Sequence, residues 1–406
     1  MAKKYKCFYS RYADDLTVST NQTAFPEDIA VELAGYPGSW VLGDRLLDVI
    51  HRAGFSVNHG KTRMQCRPSR QLVTGLTVNQ KVNIRADYYR KARKMCSSLF
   101  NHGVYYTEMS TAATAVGTSA AAAPSPIFIT STARLEGILS HIYYIKHSQA
   151  VRSNVAVDSK DIRSNNRIRY PAYRELYKKF LYFRHFVNLD APLIVCEGKT
   201  DNIYLRSALK SLVSSYPQLA EIKNGQLNAK IRFLRHSRTD HDILELSGGT
   251  GNFCNLIAHY KGAIHRYGFR PMKSPVIILV DNDAGAGGKG IFALVKKLIS
   301  VPIDYLTNND FYHICYNLYL IKTPEMGHDG TSCMEDLFDA SVLTTKVDGK
   351  EFDPTGDKDP AKYYGKLIFA DQVVRANFAK INFGKFTTIF DRISAVIAHY
   401  GTSIKT

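Results

Sequence analysis

Residues 192–201 read Pro-Leu-Ile-Val-Cys-Glu-Gly-Lys-Thr-Asp, and residues 276–285 read Val-Ile-Ile-Leu-Val-Asp-Asn-Asp-Ala-Gly. Each stretch is a short apolar run that ends in a carboxylate, which predicts a buried strand followed directly by an acidic residue. Ligands of α/β proteins bind at the carboxyl ends of parallel strands. We therefore expect Glu197, Asp281 and Asp283 to lie at one edge of a single sheet.

Strands and helices alternate around these two runs, which indicates a largely parallel sheet covered by helices on both faces. Asp201 is well placed to cap the first of the helices. A mostly helical tail follows the sheet. The predicted elements are a strand at 193–196, a helix at 201–214, a strand at 276–280, a helix at 291–300, a strand at 312–321 and tail helices at 361–380 and 385–399.

The Asp-Asn-Asp sequence after the second run suits a divalent cation. In an extended stretch, Asp281 and Asp283 point the same way while Asn282 points the opposite way. Hard cations prefer oxygen ligands of this kind, so Mg²⁺ or Mn²⁺ is the expected cofactor.

A second acidic motif lies near the N-terminus, where residues 10–17 read Ser-Arg-Tyr-Ala-Asp-Asp-Leu-Thr between two strand-like runs, 6–12 and 16–20. Adjacent carboxylates at a tight turn repel each other unless a cation lies between them. Polymerases use such carboxylates to hold two Mg²⁺ ions, which activate the primer hydroxyl and neutralise charge on the leaving pyrophosphate. Asp14 and Asp15 are therefore candidate metal ligands.

The segment between the two acidic motifs changes character several times. A strand-rich passage at 70–84 is followed from Asp87 by helical, basic sequence, and helical patterning returns at 135–147 and 173–186. Residues 108–132 are rich in Ala, Thr, Ser and Gly and are interpreted as a flexible surface insertion. The last helix alternates cations with aromatic residues, which fits nucleic-acid binding or core packing equally well.

The charge is concentrated in the first half of the chain. Of the 53 Lys and Arg residues, 27 lie before position 191, against 14 of the 36 Asp and Glu residues. A positive field of this kind points to nucleic acid as a partner, with a basic surface kept for solubility as the alternative. The candidate phosphate contacts on the basic helices are Arg90, Lys91, Arg93, Lys94, Arg174, Lys178 and Lys179.

The cysteines and the hydropathy of the sequence indicate the cellular compartment. Seven cysteines form no Cys-x-x-Cys pair, which predicts free thiols in a reducing compartment. The sequence contains no apolar run of 18 residues and no signal-peptide pattern at its start. These features predict a soluble cytoplasmic protein without a membrane partner.

The N-terminal motifs, taken in order, resemble reverse transcriptases of the retron and group II intron lineage. The set consists of residues 10–17, Gly54-Phe55 with Asn58, Lys61 and Thr62, and residues 70–79. The resemblance covers about residues 3–187. It implies that Asp14 and Asp15 are metal-binding aspartates of the polymerase palm and that Lys61 lies behind the nucleotide site. It also implies that residues 70–84, with Val73-Thr74-Gly75, form the primer-grip hairpin.

The chain departs from that lineage at one point. A reverse transcriptase palm has a third carboxylate on an earlier strand, and here eleven residues precede Tyr12. The polymerase site is therefore expected to be incomplete. Either the region is a remnant, or self-association or a separate partner chain supplies the missing part.

Residues 190–325 resemble the Toprim fold of topoisomerases, bacterial primases, some ribonucleases and OLD-family nucleases. The resemblance implies that Glu197 acts as acid/base or metal ligand and that Asp281 and Asp283 hold the metal. Lys199 is a candidate phosphate contact, with a solvated surface lysine as the alternative. Further accessory candidates are Asp201 and, by similarity to OLD-type nucleases, Glu335, Asp336 and Lys366, for which ordinary surface charge is the alternative.

The predicted fold is an α+β palm remnant (1–85) and a helical thumb (86–187), followed by an α/β Toprim domain (188–325) with a helical C-terminal extension (326–406). This order resembles retron reverse transcriptases fused to a Toprim effector. That family implies binding of structured retron RNA and its branched DNA product. It also implies a nuclease for anti-phage defence that the product restrains, with RNA favoured over DNA as substrate.

The sequence leaves two alternative functions open and disfavours a third. The chain could be a nucleic-acid-binding scaffold with an inactive Toprim domain, or an RNA-directed DNA polymerase completed by another chain. A topoisomerase would need a nucleophilic tyrosine in a DNA-gate domain, and nothing in the sequence indicates one.

Overall fold

A computed structural model describes residues 2–107, 127–152, 171–235, 237–246, 249–287 and 290–403. The chain divides into two compact units, residues 1–94 with 134–173 and residues 95–133 with 174–406. The segment predicted as a thumb, 86–187, contributes to both units. None of the helices in the described ranges combines the length and apolar character needed to cross a bilayer.

In the described residues, the first unit contains three hairpins, one 3-10 helix and three α-helices. Its strands pair antiparallel as β1 with β2, β3 with β4, and β5 with β6. The elements are a 3-10 helix Ala2–Tyr5, β1 Phe8–Tyr12, β2 Asp15–Ser19, β3 Ala30–Glu32, β4 Trp40–Leu42, α1 Asp44–Arg52, β5 Leu72–Val73, β6 Leu76–Thr77, α2 Ala86–His102, which continues into the second unit, and α3 Ala133–Arg152.

Two of these hairpins carry motifs singled out in the sequence. The β1–β2 register pairs Tyr12 with Asp15, so Ala13 and Asp14 form the turn, and Ala13 has a φ of +51°. The predicted hairpin is confirmed. The strands within residues 70–79 are shorter than predicted. Thr74 and Gly75 both adopt positive φ, as a two-residue hairpin turn requires, and the turn interrupts the predicted strand.

The second unit contains the central sheet and most of the helices. Its elements are β7 Tyr105–Thr107, β8 Ile127–Ile129, α4 Ala172–Tyr182, a π-helix Phe183–Val187, β9 Leu193–Cys196, α5 Lys199–Ser211, β10 Ala220–Lys223, β11 Gln226–Ala229, β12 Arg232–Phe233, α6 Arg238–Leu244, α7 Gly249–Ile264, β13 Val276–Val280, α8 Ile291–Ile299, β14 Tyr312–Cys315, β15 Leu318–Lys322, a 3-10 helix Met334–Leu337, α9 Ala340–Leu343, β16 Glu351–Phe352, β17 Tyr363–Tyr364, α10 Lys366–Ile368, a π-helix Phe369–Arg375, a 3-10 helix Gly384–Phe386 and α11 Thr387–Ser403.

The sheet has five strands in the order β12-β9-β13-β15-β14. The first four are parallel, and β14 pairs antiparallel with β15 at the edge. Alternate residues of β9, β13 and β15 pack against α5 and α11 in one core, while the intervening residues are equally buried on the other face. Burial on both faces explains why these strands are continuously apolar.

The predicted strand 312–321 is wrong in one respect, since the chain reverses within it to form β14 and β15. Tyr316 takes a φ of +51° at the reversal. The next residue, Asn317, is fully buried, and its amide donates to the carbonyl oxygens of Phe186 (3.0 Å) and Ser274 (3.1 Å). Those long-range hydrogen bonds satisfy a buried polar side chain that an uninterrupted strand would leave unpaired.

Two other expectations need correction. The tail helix predicted at 361–380 begins at Lys366, because Tyr363–Tyr364 pairs with Glu351–Phe352 as a short parallel ladder. The predicted insertion 108–132 is not all loop. Residues 108–126 lie outside the described residues, but Ile127–Ile129 pairs antiparallel with Tyr105–Thr107, as its β-branched and aromatic side chains favour.

Candidate active site

Glu197 follows β9 directly, and its environment is unusual for a carboxylate. The side-chain Oε1 is buried and has no hydrogen-bond partner in the part of the chain that the structure describes. Burial, followed by the charges of Asp283 and Asp201, raises the pKa of Glu197 to about 7. A buried carboxylate oxygen without a donor is costly unless a proton or a cation satisfies it.

Asp281 follows β13, the strand next to β9, so the two carboxylates leave the sheet side by side. Its Oδ1 accepts a hydrogen bond of 3.1 Å from the backbone N–H of Met334. Burial is the largest cause that raises the pKa of Asp281 to about 8, and the charges of Asp201 and Glu197 add to it. Asp281 and Glu197 therefore repel each other at close range.

Asp283 lies in the turn after β13, where its Oδ1 accepts the backbone N–H groups of Gly285 (2.8 Å) and Ala286 (3.2 Å). Asn282, between the two aspartates, is fully buried, and its amide donates to the carbonyl oxygen of Tyr305 at 2.9 Å. The side chain of Asn282 is thus held within the protein, apart from the carboxylates that flank it.

Asp201 lies in the first turn of α5 and completes the acidic cluster. Its Oδ2 accepts the N–H of Gly198 at 2.8 Å, so it caps the helix from the third helical position, as half of a capping box does. Burial raises its pKa, and the charge of Glu335 adds to that effect. Lys199, the first residue of the same helix, is exposed.

Glu335 and Lys366, predicted as accessory residues, form an ion pair of 3.0 Å beside this cluster. Glu335 is 3% exposed and also accepts the Tyr204 hydroxyl at 3.3 Å. Although burial opposes it, the nearby Glu335 carboxylate raises the pKa of Lys366. Asp336 instead accepts the N–H of Cys333 at 2.8 Å, and so stabilises the start of the 3-10 helix.

These carboxylates fit a divalent cation, because neighbouring carboxylates raise the pKa of Glu197 and Asp281, and no hydrogen-bond donor among the described residues contacts Glu197 Oε1. In the described ranges, however, no three acidic, histidine or cysteine side chains converge closely enough to hold an ion as placed. Binding by Glu197, Asp281 and Asp283 together therefore requires their side chains to rotate towards a common point.

Asp14 and Asp15 lie at the exposed end of the β1–β2 hairpin. Among the residues described, no third ligand of a metal cluster joins them. That the polymerase site is incomplete stays a prediction.

Most of the side chains predicted to contact nucleic acid are exposed, but three are not. The exposed ones are Lys61, Thr74, Gly75, Arg90, Lys91, Arg93, Lys94 and Lys179. Val73 is half-buried in β5, and Lys178 forms an ion pair of 2.8 Å with Glu245.

Arg174 does not fit the prediction, because it is buried and donates to the Asp242 carbonyl at 2.8 Å. Tyr177, Phe180 and Phe183, from the same helical region, are core residues.

A buried polar cluster behind the Asp-Asn-Asp turn was not predicted. Lys322, the last residue of β15, is 1% exposed and pairs with Glu325 at 3.0 Å. Arg392 of α11 pairs with the same Glu325 at 2.8 Å. The position of Lys322 at the end of a strand could have indicated this cluster. Its hydrogen-bond partner in α11, Arg392, lies 70 residues away in the sequence.

Comparison with known proteins supports one part of this account. The chain is 34% identical over 95 residues to "Retron Mx65 reverse transcriptase" of Myxococcus xanthus, which is 23% of this chain and 19% of that protein. It is 39% identical over 79 residues to "Retron Mx162 reverse transcriptase" of the same organism, which is 20% of this chain and 16% of that protein. The chain thus spans less than a fifth of the length of these relatives.

No protein-family model matches the chain, and no solved structure matches it. The sheet and its acidic edge therefore stand on the geometry given above. The chain contains a region similar to retron reverse transcriptases.

Proposed function

We propose that this chain joins part of a retron-type reverse transcriptase to a Toprim-like, metal-dependent nuclease. The observation that carries the nuclease half is the pair of carboxylates, Glu197 and Asp281, at the ends of two adjacent parallel strands, where burial and neighbouring carboxylates raise the pKa of both. Such a costly concentration of buried charge is typical of functional sites.

The roles of the residues follow from their surroundings. Glu197, with a pKa of about 7, is suited to transfer a proton near neutral pH. Asp281 and Asp283 are the proposed cation ligands, and Mg²⁺ or Mn²⁺ bound there would polarise a phosphodiester and lower the pKa of a water molecule. Lys366, fixed by Glu335, places a positive charge beside the phosphate that reacts.

The reverse-transcriptase half of the proposal is recognition of nucleic acid. Part of the chain is similar to two retron reverse transcriptases. The exposed basic side chains of α2 include Arg90, Arg93 and Lys94. Structured retron RNA and its branched DNA product are the proposed ligands, and their binding restrains the nuclease until infection disturbs it. RNA is the favoured substrate.

The experiment that tests the nuclease function uses the whole chain with labelled RNA, single-stranded DNA and duplex DNA. Cleavage in Mg²⁺ or Mn²⁺ that EDTA abolishes supports the proposal. Binding without cleavage of all three substrates would instead identify a scaffold with an inactive second half.

A second candidate function, a polymerase completed by further protein, is favoured by the surface of the β1–β2 hairpin. Phe8 is 69% exposed and Tyr12 is 72% exposed, although strands with large apolar side chains normally pack against other elements. Primer extension that appears only when a retron reverse-transcriptase fingers and palm fragment is added would support this function.

A further inference from the structure

A cleft of about 500 Å³ opens on the second unit beside the acidic cluster. It is lined by the first turns of α5, by the chain around β12 and by the π-helix Phe369–Arg375. Its charged side chains are Lys199, Arg206, Arg235, Arg375 and Asp371. Four cations against one carboxylate make this cleft strongly positive.

The single carboxylate leaves most of this charge uncompensated. Asp371 pairs with Arg375 at 3.0 Å. Within the described ranges, Lys199, Arg206 and Arg235 have no acidic partner at ion-pair distance. Burial, with the charge of Arg235, lowers the pKa of Arg206. Like charges this close together favour an anionic ligand between them.

The geometry of Arg206 is suited to recognition of phosphate. Its guanidinium lies over the ring of Phe233, 4.9 Å from the ring centroid, which restrains the orientation of the group. A planar guanidinium can donate two parallel hydrogen bonds to one phosphate. An ordered Arg206 therefore loses less conformational freedom on binding than a fully mobile surface arginine would.

The cleft and the acidic cluster share two elements. Lys199 lines the cleft two residues after Glu197, and Leu367 lines it one residue after Lys366. The cleft therefore adjoins the first turn of α5, which directly follows Glu197. Because the cationic cleft lies near the buried carboxylates, the cleft is suited to bind the substrate and the carboxylates are suited to cleave it.

We propose that this cleft binds the backbone phosphates of the nucleic-acid strand that is cleaved at the carboxylates, on one side of the scissile bond. The inference rests on the proposed nuclease function and adds Arg206 and Arg235 as its binding residues. Because they contact phosphate and not the reacting atoms, they act on substrate affinity.

The test compares Arg206→Gln/Arg235→Gln with the parent chain and with two further variants. The first is Lys223→Gln, which removes an exposed cation at the β10–β11 turn, outside the cleft. The second is Arg206→Lys/Arg235→Lys, which keeps the charge and reports damage to the fold. Binding of a single-stranded RNA in EDTA is measured between 50 and 200 mM salt, followed by cleavage kinetics in Mn²⁺.

For two lost phosphate contacts, the slope of log K against log salt should become shallower by about 1.4. KM should rise about ten-fold, with kcat within about two-fold of the parent value. The Lys223 variant should match the parent, and the lysine variant should keep its salt slope.

An unchanged slope and KM in the glutamine variant would overturn the proposal, and so would a loss confined to kcat. If the glutamine variant binds a mononucleotide more weakly than the parent but binds RNA equally well, the cleft is a pocket for a small ligand and the proposal is wrong. The binding measurement needs no catalysis. Asp281→Asn that cleaves like the parent would refute the proposed nuclease site, even if the cleft variants showed the expected salt slope.

Discussion

Lys366 Nζ lies 3.0 Å from Glu335 Oε2, and this ion pair connects α10 to the 3-10 helix whose Met334 N–H binds Asp281. Glu335 is almost fully buried, while the Lys366 side chain is 40% exposed. The pair therefore supports the position of Asp281 and also presents a cation at the edge of the acidic cluster.

Lys366→Met should lower the free energy of unfolding by about 2 kcal/mol, because it leaves the Glu335 carboxylate buried without its cation, with partial screening by solvent. Adding Glu335→Gln should restore most of that stability but not cleavage, since the positive charge is still missing. Urea denaturation and a cleavage assay on the same samples check both parts. A double variant that cleaves at the parental rate would show that Lys366 is structural.

Stability should depend on pH through Glu197 and Asp281. Their folded-state pKa values of about 7 and about 8 lie above the unfolded values near 4, so the folded protein retains protons that the unfolded chain releases. In EDTA, this stabilisation is fully present below about pH 4 and is lost as pH rises to about 8. Thermal unfolding between pH 5 and 8 measures the loss.

Two additions sharpen that experiment. Mn²⁺ should reduce the pH dependence, because a cation replaces the protons. Asp281→Asn should flatten it without metal, because the amide keeps the acceptor for Met334 N–H but carries no charge. Stability that rises with pH in EDTA would contradict the account of this cluster.

Nucleic-acid binding should depend on the exposed cations of α2. If about six phosphates are contacted, affinity falls on the order of 10³-fold between 50 and 200 mM salt, since binding releases counterions. Arg90→Gln, Arg93→Gln and Lys94→Gln together should make the salt slope shallower by roughly 2 to 3. Lys346→Gln, in the second unit, is the matched control. Affinity that does not change with salt would contradict an electrostatic mode of binding.

The chain of residues 1–406 should extend no primer by itself. Asp14 and Asp15 lie at an exposed turn, where no third ligand joins them in the part of the chain that the structure describes. Two carboxylates without a third do not hold both metals in line with an incoming nucleotide. A templated extension assay with labelled nucleotides checks this. DNA synthesis by this chain that is lost in Asp14→Asn would show the expectation to be wrong.

The sequence predicted best those elements that a local pattern determines. The strands that end before Glu197 and Asp281 were predicted at their observed bounds, because a continuous apolar run ending in a carboxylate is visible locally. The β1–β2 hairpin was also predicted, because its two strand-like runs are visible locally. The two strands before Glu197 and Asp281 define the acidic edge.

Features that depend on distant partners were not predicted. The reversal at Tyr316 and Asn317 is stabilised by carbonyl groups of Phe186 and Ser274, far away in the sequence. The cleft brings Arg206 and Arg375 together from helices that no local pattern connects. Arg174 was predicted to contact phosphate because cations and aromatic residues alternate along its helix, and tertiary packing buries it.

The central claim, that Glu197, Asp281 and Asp283 form one metal-dependent phosphodiesterase site, is tested most directly by single-turnover cleavage of labelled RNA by Asp281→Asn. Asp348→Asn, an isosteric change at an exposed turn, is the control. We predict that Asp281→Asn loses several orders of magnitude in rate in both Mg²⁺ and Mn²⁺ while RNA binding persists and the control cleaves like the parent. If Asp281→Asn cleaves as fast as the parent in both metals, the claim is wrong.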